Sequence, residues 1–175
     1  MKAVNIFLLT VVGILLLSMP AAAQVEFVSV GINPSSAFHV NEPISKLDAS
    51  VKAKTPGLDF TIKAGFQSKN IEIAVVYQNW ASIDFQQYSA NINGLSYPFT
   101  KTEVALGIEL GRIIREGNSG DYFIGANAEL RYQLNSHFFT SLQINLRSRS
   151  DIKYFYDMQN PQYRLTPFIN VGYKF

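Results

Sequence analysis

The chain has 175 residues, of which 15 are Lys or Arg and 13 are Asp or Glu, giving a formal net charge of +2. Because nucleic-acid-binding proteins carry a clear excess of basic residues, this near balance argues against a nucleic-acid partner. The chain contains no cysteine, so disulfides are excluded, and its length suits a single domain held by packing and backbone hydrogen bonds.

Residues 1–23 have the pattern of a cleavable signal peptide. Lys2 gives a positive start, an apolar run follows over residues 6–17, and alanines at 21–23 offer small residues for cleavage. The apolar run is shorter than the roughly 20 residues that a membrane-spanning helix needs. We therefore expect an exported protein whose mature chain comprises residues 24–175.

The first strand of the mature chain can be placed in either of two segments. Residues 25–33 and residues 47–54 both alternate apolar side chains with polar or small ones, and a loop containing Pro34 and Pro43 separates them. Since successive side chains of an extended chain point to opposite faces, a period of two indicates a strand. The sequence does not decide between the two segments.

Five segments in the middle of the chain repeat this alternation. They cover residues 58–67, 71–78, 88–99, 102–114 and 122–134. In the fourth of them, Leu106 and Leu110 share one face while Glu103 and Glu109 share the other. The alternation slips at Asn93-Gly94, where we expect a β-bulge.

The last two segments carry the pattern to Phe175. The first begins near Phe138 and alternates to about Tyr156, which is too long for a membrane alone, so its upper part should stand above the bilayer. The second begins at Tyr163, and its apolar face ends in aromatic residues. Together with one earlier strand, these segments give eight strands, an even number as in bacterial outer-membrane barrels.

Two pairs of tyrosines bracket apolar strand faces at a spacing of ten residues. Tyr122 and Tyr132 form one pair, and Tyr163 and Tyr173 form the other. At roughly 3.3 Å per residue and a tilt of about 40°, ten residues rise about 25 Å. This height matches the apolar band of an outer-membrane barrel between its two aromatic girdles.

The export signal, the alternating strands and the C-terminal strand resemble the small eight-stranded outer-membrane β-barrels of the OmpA/OmpX kind. Residues 95–99 are similar to a segment of outer membrane protein beta-barrel domain families. The resemblance implies that residues 24–175 form an all-β, antiparallel, up-and-down barrel in the lipid bilayer of the outer membrane. It also implies that Val171, Tyr173 and Phe175 form the signal read by the barrel-assembly machinery. We expect a monomer.

Two details bear on the topology of this barrel. If both chain ends are periplasmic, the tight connections at 68–70 and 135–136 fall on the inner side, and the loops at 116–121 and 156–162 fall outside. Pro167 departs from the pattern, because proline cannot donate a hydrogen bond to a neighbouring strand. A bulge or a locally open rim would have to accommodate it.

The predicted inward face carries many charges, and an eight-stranded barrel is just wide enough for side chains to fill. These residues are Asp59, Lys63, Glu72, Glu103, Glu109, Glu129, Arg131, Arg147, Arg149, Arg164 and Lys174. We expect them to pair as a structural network that plugs the lumen. The alternative is a narrow ion or proton path gated by Glu109, Glu129, Arg131 and Arg147.

The sequence offers no catalytic, cofactor-binding or metal-binding residues, and we expect no enzyme. His39 lies near Ser35 and Ser36 but has no clear acidic partner, and His137 falls in a turn. The function we expect is structural, adhesive or partner-binding. A secreted lipocalin-like barrel that binds a small apolar ligand is a further alternative, which requires apolar residues inside and charges outside.

Aromatic residues near the outer end of the barrel suggest two surface features. We place Trp80 and Tyr77 in the outer aromatic girdle, with an ordinary core position as the alternative. Tyr154, Tyr156 and Tyr163, near Arg149 and Lys153, belong to a barrel extension that ordinarily just ends in aromatic residues. The alternative is that they form an adhesive or ligand-contacting rim.

Overall fold

The computed structural model describes residues 24–34, 59–80, 85–115, 122–149 and 162–175. These residues form a closed barrel in which each strand pairs antiparallel with its sequence neighbours and the last strand pairs with the first. The predicted all-β, eight-stranded up-and-down fold is confirmed. The strands are β1 Gln24–Ile32, β2 Asp59–Ser68, β3 Ile71–Trp80, β4 Phe85–Phe99, β5 Thr102–Arg115, β6 Tyr122–Gln133, β7 Phe138–Arg149 and β8 Gln162–Lys174.

The first strand of the barrel is β1, in the earlier of the two candidate segments. It pairs with β2 from Gln24–Ser68 to Ile32–Phe60 and with β8 from Phe27–Lys174 to Ile32–Ile169. The other candidate segment, the signal peptide and the upper part of the long seventh segment all lie outside the described residues. Within the described ranges, no helix has the length and hydropathy of a membrane span.

The two faces of the sheet differ sharply in polarity. In β5, Leu106 is 60% exposed and Leu110 is 50% exposed, whereas Glu103 and Glu109 are buried in the lumen. The same alternation places apolar side chains outside and polar or charged ones inside along the other strands. This polarity is the opposite of what the lipocalin-like alternative requires.

The bulge expected at Asn93-Gly94 was wrongly placed. Asn93 pairs with Glu72 and Gly107, and the register of β4 against β5 shifts only between Ser96 and Phe99. The sequence alternation slips earlier because an outward glycine follows an inward asparagine, although the backbone stays regular. The irregular stretch contains Pro98, which has no N–H to donate to a neighbouring strand.

Pro167 lies where the sheet does not need its missing N–H. The N–H of Phe175 donates to the carbonyl of Glu26 on β1 at 2.9 Å, so by the two-residue alternation of a ladder the odd-numbered residues of β8 face β1. The described β1–β8 pairing ends at Ile32–Ile169, two residues before Pro167 is reached. Among the described residues the β1–β8 ladder therefore ends before Pro167, which favours the locally open rim over the bulge, the two possibilities that the sequence left open.

Tight turns connect the strands at one end of the barrel, which is the end where β1 begins and β8 finishes. Lys69 adopts a left-handed conformation with φ 51° between β2 and β3. In the turn between β6 and β7, the side-chain oxygen of Asn135 accepts hydrogen bonds from the N–H groups of His137 and Phe138 at 2.9 and 2.8 Å. These connections are the short ones predicted from the sequence.

Candidate functional site

The half of the lumen next to the tight turns is built around one guanidinium group. Arg131 of β6 lies 2.5 Å from a carboxylate oxygen of Glu72, 2.5 Å from Glu103 and 2.6 Å from Glu129. The carboxylates come from β3, β5 and β6, so Arg131 connects strands across the barrel interior. All four side chains are at most 3% exposed, and each charge therefore depends on its partners rather than on water.

Two lysines complete this arrangement. The ammonium group of Lys63 on β2 lies 2.6 Å from Glu72 and 2.9 Å from Glu129, while Lys174 on β8 lies 3.0 Å from Glu103. Three positive charges thus meet three negative ones. We call these six residues the inner cluster, and they are Lys63, Glu72, Glu103, Glu129, Arg131 and Lys174.

Neutral side chains satisfy the remaining oxygens of the inner cluster. Gln67 donates to Glu72 and Glu103, Asn93 donates to Glu72, and Ser141 donates to Glu129. Phe139 lies beside the cluster with its ring 5.5 Å from the guanidinium of Arg131. Its pairing partner on β8 is Gly172, and the ring of Phe139 fills the space that a Cβ at that position would need.

A second polar group lies further from the tight turns. Arg147 of β7 lies 3.2 Å from Glu109 of β5, and the same guanidinium donates to the side-chain oxygens of Gln78 and Gln87. Ser89 donates to the other oxygen of Glu109 at 2.6 Å. This outer cluster pairs one cation with one carboxylate, so it is also balanced in charge.

Aromatic side chains fill the lumen beyond the outer cluster. Trp80, Phe85, Ile113 and Phe123 pack together, and the rings of Trp80 and Phe85 stack with centroids 4.6 Å apart. The guanidinium of Arg149 lies 4.9 Å from the Trp80 centroid and 4.5 Å from that of Phe85. Assigning Trp80 to the outer girdle was wrong, because its position in β3 points inward and leaves it 3% exposed.

Tyr77 has the outward orientation that was predicted for it. Its ring packs against Phe60 and Tyr88, with centroids 6.0 and 5.1 Å away. It is three residues from Trp80, so the two aromatic residues fall on opposite faces of the same strand.

The structure brings together most of the predicted lumen residues. Nine of the eleven are buried, and Arg164 and Lys174 are half-buried. The four residues of the gate alternative fall into two separate pairs, Glu129 with Arg131 and Glu109 with Arg147. Sequence reasoning missed Arg115, which is 2% exposed and could have been found because it continues the inward series of Glu109 and Ile113.

The outward surface is apolar over the height between the tyrosine pairs. Tyr122 is 80% exposed and Tyr132 is 49% exposed, and between them Ile124 and Leu130 also project outward. The neighbouring outward residues Leu106, Ile108, Leu142, Ile144, Leu165 and Ile169 are likewise exposed. Such a belt is far larger than the apolar patches that soluble proteins expose.

Comparisons with solved structures found several similar chains. The outer membrane protein Ail of Yersinia pestis superimposes with a TM-score of 0.54 at 13% identity, over 87% of this chain and 100% of that one. A de novo designed transmembrane β-barrel gives 0.49 at 12% identity, over 90% of this chain and 98% of that one. Neisserial surface protein A gives 0.43 at 12% identity, over 86% and 94%.

The fold is that of a small eight-stranded outer-membrane β-barrel. No protein-family model matches the sequence, and no curated protein is similar to it. The barrel fold therefore rests on the eight-stranded closure and on structural likeness, not on sequence similarity.

In this outer-membrane barrel fold, His137 lies at the turn between β6 and β7. Its Nδ1 lies 3.1 Å from the backbone carbonyl of Lys174, and its ring stacks on Tyr173 with centroids 5.5 Å apart. The other histidine, His39, lies outside the described residues. Among the residues that the structure describes, no group of three His, Cys, Asp or Glu side chains could hold a metal ion.

Proposed function

We propose that this chain is an integral outer-membrane protein with a structural, adhesive or partner-binding role and a lumen closed by its own side chains. The observation that carries the proposal is the polarity of the barrel, with apolar residues such as Leu106 and Ile144 outside and six paired charges inside. Only a hydrocarbon environment makes this distribution favourable, because water would otherwise cover the apolar belt.

The height of the belt supports a membrane-spanning position. On β6, Tyr122 and Tyr132 are separated by ten residues, and on β5 their pairing partners are Arg112 and Thr102. Ten tilted residues rise about 25 Å, the height of the apolar band in this class. We infer that the ring of Tyr132 marks the inner interface and that of Tyr122 the outer one.

We infer that the tight turns face the periplasm and that the connections on the opposite end face outward. Residues 1–23 would direct export, and the exposed C-terminal Phe175 would be bound by the barrel-assembly machinery. Single-cysteine variants test this topology cleanly, since the chain has no cysteine of its own. Intact cells are treated with a membrane-impermeant maleimide, with Asn118→Cys between β5 and β6 and Lys69→Cys in the β2–β3 turn.

Asn118→Cys should be labelled in intact cells, and Lys69→Cys only after the outer membrane is permeabilised. Labelling of both variants in the soluble periplasmic fraction would contradict a membrane location. Heat-dependent migration of the purified protein on a gel provides a second check, because closed barrels resist unfolding by detergent until they are heated.

The packing of side chains in the lumen favours a closed barrel over the ion-path alternative. Arg131 is fully buried among three carboxylates, and Phe139 is fully buried beside it. Purified protein in planar lipid bilayers should produce no discrete conductance steps. Steps that disappear in Arg147→Gln, with folding retained, would instead support an ion path through the outer cluster.

The role we propose is not catalytic. The only histidine in the described residues, His137, contacts Tyr173 and a backbone carbonyl rather than a serine or a carboxylate. Binding through the outward loops, rather than chemistry in the lumen, is the function that this arrangement favours.

A further inference from the structure

The sequence contains a single Asn-Gly dipeptide, Asn93-Gly94, which lies in β4 beside the inner cluster. In a flexible chain this dipeptide is reactive, because glycine has no Cβ to keep its backbone nitrogen away from the preceding side chain. The nitrogen of Gly94 bonds to Cγ of Asn93, and its proton leaves with the amide group as ammonia. Water then opens the resulting cyclic imide to an aspartate or to an isoaspartate, in which the main chain runs through Cβ and Cγ.

The folded barrel keeps the reacting atoms apart. Asn93 pairs with Glu72 on β3 and with Gly107 on β5, and Gly94 also has partners on both strands. The N–H groups of a paired strand point at the neighbouring strands, whereas the side chains stand perpendicular to the sheet. The side chain of Asn93 is fully buried, and its Nδ2 donates to the carboxylate of Glu72 at 2.8 Å. The ring can therefore close only after β4 has left the sheet.

Neither product fits the place that Asn93 occupies. The inner cluster balances three positive charges against three negative ones. An aspartate at position 93 would bring a fourth carboxylate to the point from which the amide now donates to Glu72, and burying a charge without a partner is strongly unfavourable. An isoaspartate lengthens the main chain by one carbon, which disrupts the regular pairing of β4 with β3 and β5.

We propose that Asn93-Gly94 is a modification site that reacts only in the unfolded chain, and that the modified chain cannot complete the barrel. The reaction takes up water and releases ammonia, and it needs no enzyme. Folding therefore preserves the amide, while a chain that stays unfolded too long loses its capacity to fold. This inference concerns the lumen alone and holds whichever partner the outward loops bind.

The first measurement compares ageing of the unfolded and the folded protein. The purified chain is kept in guanidinium chloride at mildly alkaline pH, and a folded sample is kept in detergent at the same pH. Peptide mass spectrometry follows the replacement of NH2 by OH at Asn93. Asn91 is an internal control, because it is equally buried in the same strand but precedes the β-branched Ile92.

We expect modification at Asn93 in the unfolded chain, little at Asn91, and none at either residue in the folded barrel. Modification of Asn93 at the same rate in both samples would overturn the proposal, because the fold would then offer no protection.

The second measurement determines whether modified chains fold. The aged chain is refolded into detergent and run on a gel without heating, and the modified fraction is measured in the folded and in the unfolded band. We expect the folded band to be depleted severalfold in modified chains. Equal modified fractions in the two bands would show that the barrel accepts the products and would overturn the proposal.

A variant at Gly94 separates this reaction from other damage during ageing. Gly94 faces outward, and a Cβ at this position would lie 3.8 Å from the carbonyl oxygen of Leu106, an ordinary contact distance. Gly94→Ala should therefore fold like the wild type, and after ageing it should keep the refolding yield that the wild type loses. An equal loss of yield in the two aged proteins would contradict the proposal.

Variants at Asn93 test the effect of the added charge directly. Asn93→Asp places the carboxylate there without ageing, whereas Asn93→Ala removes the same donor to Glu72 and adds no charge. We expect the refolding yield of Asn93→Asp to be severalfold below that of Asn93→Ala. Equal yields would mean that the inner cluster tolerates a fourth carboxylate, and the proposal would fail.

Discussion

Arg131 holds the inner cluster together at the scale of single residues. Its guanidinium contacts carboxylates from three strands, and its flat face lies 5.1 Å from the ring centroid of Phe27. The neutral donors Gln67, Asn93 and Ser141 cannot replace its charge. Removing Arg131 would therefore leave three carboxylates with only Lys63 and Lys174.

We predict that Arg131→Met lowers the free energy of unfolding by about 3–5 kcal/mol, because one partner of a buried ion network is lost. Urea unfolding in lipid vesicles measures the change, and the fluorescence of Trp80, the single tryptophan, reports on the lumen. Lys101→Met, in an exposed turn, should change stability by less than about 0.5 kcal/mol. Equal stability of the two variants would mean that the inner cluster contributes nothing.

At the scale of a strand, β8 pairs regularly with β1 but includes one residue that makes no backbone hydrogen bond to β1. Ile169 directs its N–H toward Ile32 at the end of the β1–β8 pairing, whereas Pro167 lies beyond that end. The two residues are two positions apart in β8, so their backbone nitrogens face the same side of the strand. They therefore form a matched pair for testing where the barrel seam stops.

We predict that Pro167→Val changes the unfolding free energy by less than about 0.5 kcal/mol, since the added N–H gains no strand partner. Ile169→Pro should cost about 1–3 kcal/mol, because a carbonyl of β1 loses its donor. Both are measured by the same urea unfolding in vesicles. A large stabilisation by Pro167→Val would show that the β1–β8 ladder extends further than Ile169.

A second prediction at the scale of a strand concerns the apolar belt. Ile108 lies near the middle of the belt, level with Ala126, and Thr102 lies at its inner edge, level with Tyr132. Ile108→Arg should cost about 2–4 kcal/mol in vesicles, and Thr102→Arg at most about 1 kcal/mol, as depth in the bilayer predicts. If both substitutions cost the same, this surface does not face hydrocarbon.

Across the whole molecule, the sequence predicted the eight strands and their two faces because a period of two is a local property. It did not reveal which charges pair, since the contact between Lys63 and Glu129 depends on strand register across the barrel. Trp80 was misplaced because an aromatic residue at a strand end fits a girdle and a lumen equally well. The bulge was misplaced because Gly94, which lies on the outward face, has no side chain to show the alternation of apolar and polar residues.

The C-terminus allows a prediction about the assembly of the whole molecule. Phe175 is 72% exposed, and its ring contacts Tyr173 edge to face with centroids 5.1 Å apart. Deleting Phe175 should greatly reduce the amount of folded barrel in cells, while refolding of the purified variant in detergent stays close to that of the wild type. Heat-dependent gel migration measures both. Normal assembly in cells would mean that this residue is not recognised.

The contribution of Lys174 to the inner cluster has a consequence for synthesis. This lysine lies one position before the C-terminus and supplies the third positive charge to the six-residue set. A chain that ends prematurely would enclose three acidic groups with two basic ones, and burying such an imbalance is strongly unfavourable. Strand β8 thus both shuts the seam with β1 and neutralises the interior, so we expect chains cut short before Lys174 to fold poorly.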